Sequence, residues 1–152
     1  MYLENSKTII VKIGSSLIIN DKKIIRKKWL LEFAKDIKAL RKKNKNIIIV
    51  SSGAIALGCK KLNITKKKLK IDQSQAVASV GQIELMNLFK EIFAIQKINI
   101  SQILLTLEDT EIRRRAINAK RTIENLFNLN FTPIVNENDT CLLYTSDAAD
   151  DT

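Results

Sequence analysis

The chain has 152 residues, 45% hydrophobic and 28% charged, a composition that fits one globular domain with a real core and excludes a disordered chain. It has no histidine and only two cysteines, Cys59 and Cys141, which excludes a disulfide scaffold, a histidine-bearing zinc cage and Ser-His-Asp or Cys-His hydrolase chemistry. Lys plus Arg outnumber Asp plus Glu by 26 to 16, a net charge of +10; the excess of Lys, Ile and Asn is what AT-rich coding DNA produces, and at 5% the aromatics are too few for base-stacking platforms, so the charge reads as solvated surface with no specific nucleic-acid partner.

The opening MYLENSKTIIVKIG lacks a basic region followed by an apolar stretch and a cleavage site, and no apolar run approaches the roughly 18 residues of a membrane span; a cytoplasmic chain with no membrane partner is expected. Thr8 to Ile13 is a β-branched run that reads as a buried strand, closed by Gly14-Ser15-Ser16. From about Asp21 to Asn44 the apolar residues Ile24, Ile25, Leu30, Leu31, Ala34, Ile37 and Leu40 recur near helical spacing, with Asp21 as N-cap. Asn46 to Val50 is a second strand, closed by Ser51-Ser52-Gly53, and Ala54 to Leu62 a short helix. Asn63 to Asp72, with Lys66-Lys67-Lys68, reads as a surface loop. Gln73 to Gln96 reads as a long helix mildly interrupted by Gly81. Asn99 to Leu105 is a third strand, Asp109 to about Leu129 a fourth helix capped by Asp109, and Phe131 to Val135 a fourth strand that breaks into Asn136-Glu137-Asn138-Asp139. Trp29 and the phenylalanines read as core, and Cys59 as a small apolar helix residue.

Strands apolar on both faces and alternating with helices predict a parallel sheet covered by helices, an α/β fold. Right-handed crossovers then gather the strand carboxyl ends on one rim, where open α/β sheets bind ligands. Strands one, two and four all end in small or polar residues, so three polar corners are expected to converge there.

Neither the Walker loop nor the dinucleotide fingerprint occurs. Lys12, just before Ile13-Gly14-Ser15-Ser16, can supply charge to a phosphate that Gly14 lets approach and that Ser15 and Ser16 can hydrogen-bond; it equally fits a lysine beside an ordinary turn. Ser52-Gly53-Ala54 leads straight into a helix, whose free N–H groups favour an anion, though Ser52 also fits a plain cap. Asn136 to Asp139 suits an ammonium group or a carboxylate, and also a turn. Lys66-Lys67-Lys68 and Arg113-Arg114-Arg115 read as solvated surface.

The runs IIVKIGSSLI, IIIVSSGAIALG, QAVASVGQIELMNLF, SQILLT, NAKRTIENL and PIVNENDT, in this order, resemble the amino acid kinase family and, within it, the glutamate kinases; the match covers about residues 7 to 140. The resemblance implies a three-layer α/β/α sandwich with a mostly parallel sheet. It implies transfer of the γ-phosphoryl group of ATP to the side-chain carboxylate of L-glutamate, with Mg²⁺, as the first step of proline biosynthesis. It also implies feedback inhibition by proline and a homo-oligomeric full-length enzyme. By position, Lys12 matches the family lysine on the ATP phosphates, with Gly14 and Ser15 in the adjoining loop. Ser52 matches a glutamate-binding residue, with Gly53 and Ala54 in the same loop. Asp139 matches the acid that binds glutamate, with Asn136 and Asn138 beside it.

After Asp139 the family continues into a Gly-Asp-Asn-Asp-rich segment, where this chain reads CLLYTSDAADDT. Residues 141–152 are therefore expected to be foreign to the kinase part, 1–140, and the chain to hold the glutamate-binding half alone, truncated and inactive by itself. A glutamate- or proline-binding module without catalysis is the alternative. A sheet that stops at its fourth strand is also expected to expose that strand as an unpaired apolar edge, prone to aggregation.

Overall fold

The structure, a computed structural model, describes residues 2–105 and 111–137. A short helix α1 (Tyr2–Asn5) precedes β1 (Thr8–Ile13), α2 (Ser15–Ile18), α3 (Lys27–Lys42), β2 (Asn46–Ser51) and α4 (Ala54–Leu62). After a 3₁₀ turn at Lys66–Lys68 come α5 (Ile71–Ile95), β3 (Asn99–Leu105), α6 (Arg113–Asn128) and β4 (Phe131–Glu137). The strands form one parallel sheet in the order β1-β2-β4-β3. The expected α/β architecture, a parallel sheet with helices on its faces, is what forms.

Side-chain parity along the strands divides the sheet into two unlike faces. Ile9, Ile13, Ile47, Ile49 and Ile134 turn toward α3 and α5, where they join Leu30, Ala34 and Ile37 of α3 and Leu85, Phe89, Ile92 and Phe93 of α5 in one buried cluster. Phe93 is central, its ring 6.0 Å from Phe89 and 6.2 Å edge-on from Phe33. On the opposite face Ile10 is 65% exposed. The helix there, α6, has no buried residue although its sequence is strongly amphipathic.

The last strand in the chain lies inside the sheet. The β3–β4 crossover returns β4 to the slot between β2 and β3, so the edges are β1 and β3. The expectation that the fourth strand would be the exposed edge is thus corrected: chain order is not sheet order, and a reversed crossover inserts a late strand. Pairing also continues past Val135, with Asn136 and Glu137 opposite Leu104 and Leu105 of β3. Asn136 is a strand residue and not the start of a turn.

Other expectations shift for local reasons. The helix expected from Asp21 starts at Lys27. Asn20 Oδ1 instead accepts hydrogen bonds from the Lys22 and Ile24 backbone N–H groups, both at 2.9 Å, building a turn that leaves Asp21 exposed and brings Ile19 into an antiparallel bridge with Ile25. Gly14-Ser15-Ser16 does not form a simple loop but feeds the single turn of α2. Trp29 is not core: it stacks on Phe33 at 5.4 Å and stays 37% exposed. Cys59 is buried and free, as expected. Asp109, expected to cap α6, lies outside the described residues.

Candidate functional site

The sheet register carries Ile13, Ser51, Asn136 and Leu104 side by side across β1, β2, β4 and β3. The loops after β1 and β2 therefore leave the same edge of the sheet, next to Asn136 at the end of β4. The placing of β4 beside β2 makes three polar strand ends neighbours in space.

Two of these corners are locked together. The Ser52 backbone N–H donates to Ile13 O at 3.1 Å, and its hydroxyl reaches the same oxygen at 3.4 Å. The buried Ser51 hydroxyl donates to Ser52 O at 3.0 Å. Ser52 therefore clips the end of β2 to the end of β1, and it does not cap the helix that follows, since no side chain caps α4. That corrects the plain-cap reading and leaves the first N–H groups of α4 without a side-chain acceptor. The N-cap Gly53 has φ +117°, a left-handed conformation that side chains strain to adopt. A Cβ there would also sit 3.2 Å from Ile18 Cδ1 and 3.7 Å from Ser15 Cα, so the two loops pack directly on each other.

Gly14 differs in kind. Its φ of −76° and ψ of 158° suit any residue, and an added Cβ would meet nothing within 4 Å. The space beside its backbone is open, as the approach of a bulky anion requires. Lys12 is exposed and in register with Val50 of β2; by strand alternation it projects from the sheet face opposite α5. Ser15, half-buried, begins α2.

The third corner is buried. Asn136 is 2% exposed, and its Nδ2 lies 3.6 Å from Met86 Sδ on α5. Its Oδ1 is buried with no hydrogen-bond partner among the described residues. Asn138 and Asp139 lie outside the described residues.

The seating of α4 depends on two glycines whose meaning their sequence context hid. A Cβ on Gly81 of α5 would fall 1.6 Å from Ala54 O, and one on Gly58 would fall 2.2 Å from Val77 O. The two helices touch backbone to backbone, and Gly81 is what lets the first turn of α4 sit where it does. The sequence signal was two glycines inside otherwise good helix patterns, one on each neighbouring helix. Among the described residues no group of three or more acidic, cysteine or histidine side chains gathers that could hold a metal ion. A cleft of about 660 Å³ lies elsewhere, between α6 and the first residues of β1 and β2, lined by Thr8, Asn46, Ile48, Ala119, Ile123 and Phe127. It is not at the rim that the three corners share. Among the described residues no helix is long and apolar enough to cross a membrane.

The sequence profile of the amino acid kinase family matches residues 7–148. A glutamate 5-kinase of Pelagibacter ubique (strain HTCC1062) is 76% identical over 140 residues, covering 92% of this chain and 38% of that protein. A glutamate 5-kinase of Ruegeria sp. (strain TM1040) is 45% identical, covering 91% of this chain and 38% of that protein. The chain thus spans 38% of the length of these two curated relatives. Among solved structures, an isopentenyl phosphate kinase of T. acidophilum superimposes with a TM-score of 0.56 at 9% identity, over 86% of this chain and 54% of that one. A Giardia carbamate kinase gives 0.55 at 11% identity, over 86% and 60%. These two likenesses establish the fold, in agreement with the parallel sheet and its helices. With the profile matching well over half of its length, the chain belongs to the amino acid kinase family.

Proposed function

We propose that this chain supplies the phosphate- and glutamate-contacting part of a kinase that moves the γ-phosphoryl group of ATP onto the side-chain carboxylate of L-glutamate, giving L-glutamyl 5-phosphate in the first step of proline biosynthesis. The observation that carries the reading is the row Ile13–Ser51–Asn136, from which two interlocked loops and a buried amide share one edge. The 76% identical glutamate 5-kinase supports the choice of acceptor.

The chemistry suits the residues. A carboxylate is already ionised at neutral pH, so the acceptor needs no general base, and a chain without histidine loses nothing. The obstacle is bringing an anion up to a polyanion. In our reading the Lys12 ammonium neutralises charge on the transferring oxygens, and Gly14 and Ser15 admit the phosphates. Ser52, Gly53 and Ala54 hold the glutamate at the uncapped start of α4. Asn136, Asn138 and Asp139 bind its polar groups. The described residues do not form a cage for Mg²⁺, which we assign to the incoming ATP. Proline as an inhibitor at the glutamate site, a cytoplasmic homo-oligomer, and residues 1–140 as the kinase part complete the proposal.

The test is a chimera in which residues 1–140 replace the matching stretch of the 76% identical relative. Hydroxamate trapping of glutamyl phosphate is expected to show ATP-dependent turnover, and Lys12→Ala to lower kcat about 10²- to 10³-fold. A chimera that folds, binds ATP and forms no hydroxamate sinks the proposal. Because the chain spans 38% of its relatives, binding without catalysis is a second reading for the 152 residues alone. Saturable calorimetric heat with L-glutamate or L-proline, without hydroxamate formation, supports it.

A further inference from the structure

The sheet-facing stripe of α5 is apolar along most of its length: Leu85, Phe89, Ile92 and Phe93 are buried in the core cluster, and Met86 packs beside it. One polar residue occupies the same stripe. Gln82 stands three and four residues before Leu85 and Met86, on their side of the helix. Its Nε2 is buried, yet it has no hydrogen-bond partner among the described residues. A buried amide left unsatisfied is costly, so it calls for a partner or a use.

Its place in the fold suggests that use. Helix α5 runs antiparallel to the strands, so its amino-terminal part lies at their carboxyl edge. Met86 marks that edge by touching Asn136. Gln82 is one turn further out, about 6 Å along the axis at 1.5 Å per residue, and so lies over the corners that leave the sheet. Gly81, the residue before it, touches Ala54 at the start of α4. Gln82 thus follows the residue that touches the uncapped first turn of α4 and precedes by one turn the residue that touches Asn136, whose Oδ1 is the other orphaned amide atom at this edge.

We propose that Gln82 is a substrate-contacting, specificity-determining residue: its amide donates a hydrogen bond to the α-carboxylate of the bound amino acid while Asn136 Oδ1 accepts from the α-ammonium. The two orphaned atoms are a donor and an acceptor, and the α-end of an amino acid is an acceptor and a donor in turn. Lys12 projects from the opposite sheet face, so the α-end lies on the α5 side and the side-chain carboxylate points toward Lys12 and Gly14. This inference rests on the glutamate reading proposed above and deepens it.

The test uses the chimera described above as the parent, with calorimetry and thermal melts, and the variants Gln82→Met and Gln82→Glu. Methionine removes the orphaned amide without changing the volume much, so Tm is expected to hold or rise while L-glutamate binds about ten- to a hundredfold more weakly. Glutamate at position 82 sets a like charge against the carboxylate and is expected to weaken binding at least as much. With 4-aminobutyrate, which lacks the α-carboxylate, the parent and Gln82→Met are expected to bind equally. A parent chain that binds 4-aminobutyrate as well as L-glutamate, or a Gln82→Met chain with lower Tm and unchanged glutamate affinity, overturns the inference alone. A parent chimera that folds and binds ATP yet binds no L-glutamate overturns the glutamate reading and this inference together.

Discussion

The two faces of the sheet are built from similar residues and end up very differently. Toward α3 and α5, isoleucines of β1 and β2 meet phenylalanines and leucines and disappear from solvent. Toward α6, Ile10 stays 65% exposed and an open cleft of about 660 Å³ separates the helix from the first residues of β1 and β2. Apolar composition in a strand is therefore not enough to say where stability resides. What counts is whether a helix brings large side chains down onto that face. The α5 face carries the fold, and at its far end it also reaches the candidate site.

The sharpest test of that contrast compares two phenylalanines. Phe89, fully buried on α5, is expected to cost about 3–5 kcal/mol on replacement by alanine; Phe127, half-buried on α6, at most about half of that. Urea unfolding of the two variants decides it, and equal losses would erase the distinction between the faces. Gly81→Ala comes next. By helix propensity alone alanine should stabilise α5 by about 1 kcal/mol. The clash with Ala54 O reverses the sign, to a loss of about 1–3 kcal/mol, because α4 and α5 must separate. A stabilised Gly81→Ala chain would mean that the two helices are not seated as described.

Much of this was legible in the sequence. Thr8–Ile13 and Asn46–Ser51 announce themselves by the β-branched runs TIIV and IIIV, Asn99–Leu105 more weakly by Ile100, Ile103, Leu104 and Leu105, and the polar residues that follow the first two mark the rim. Strand order was not legible, because nothing local distinguishes a crossover that advances from one that returns, and β4 returns. By residue preference Asn136 suits a turn as well as a ligand; only pairing with Leu104 and Ser51 makes it a buried strand residue. Asp21 fits a cap by residue type alone, and nothing local in the sequence shows that the Asn20 side chain, one residue earlier, holds two backbone N–H groups. Gln82 lies inside an apolar helical pattern, where one polar residue in an otherwise buried stripe is itself a signal.

Arg41 tests how the far edge of the sheet is held. From α3 its Nη1 donates to Thr132 Oγ1 at 3.0 Å, and its Nη2 to Asn130 O at 3.1 Å and to Asn130 Oδ1, tying the buried face to the turn between α6 and β4. Burial pushes its pKa below the ordinary arginine value. Arg41→Ala leaves the buried Thr132 hydroxyl without this partner and is expected to cost about 1–3 kcal/mol in urea unfolding. No loss would show that the α6–β4 turn needs no tether.

The smallest expected change in stability is the most informative about the rim. Gly14 and Gly53 both follow a strand end at a corner of the rim. Gly53 is fixed by its backbone, at φ +117° and against Ile18 and Ser15, so any side chain there strains the loop. Gly14 is fixed by neither conformation nor contact. If packing were its only role, Gly14→Ala should be neutral or slightly stabilising, up to about 1 kcal/mol, since alanine restricts the unfolded chain. If the open space is where a phosphate meets the backbone, the same methyl group should leave Tm intact and cut hydroxamate formation in the chimera at least tenfold. Unchanged turnover with unchanged stability would remove Gly14 from the site and leave Lys12 without the phosphate loop that its role requires.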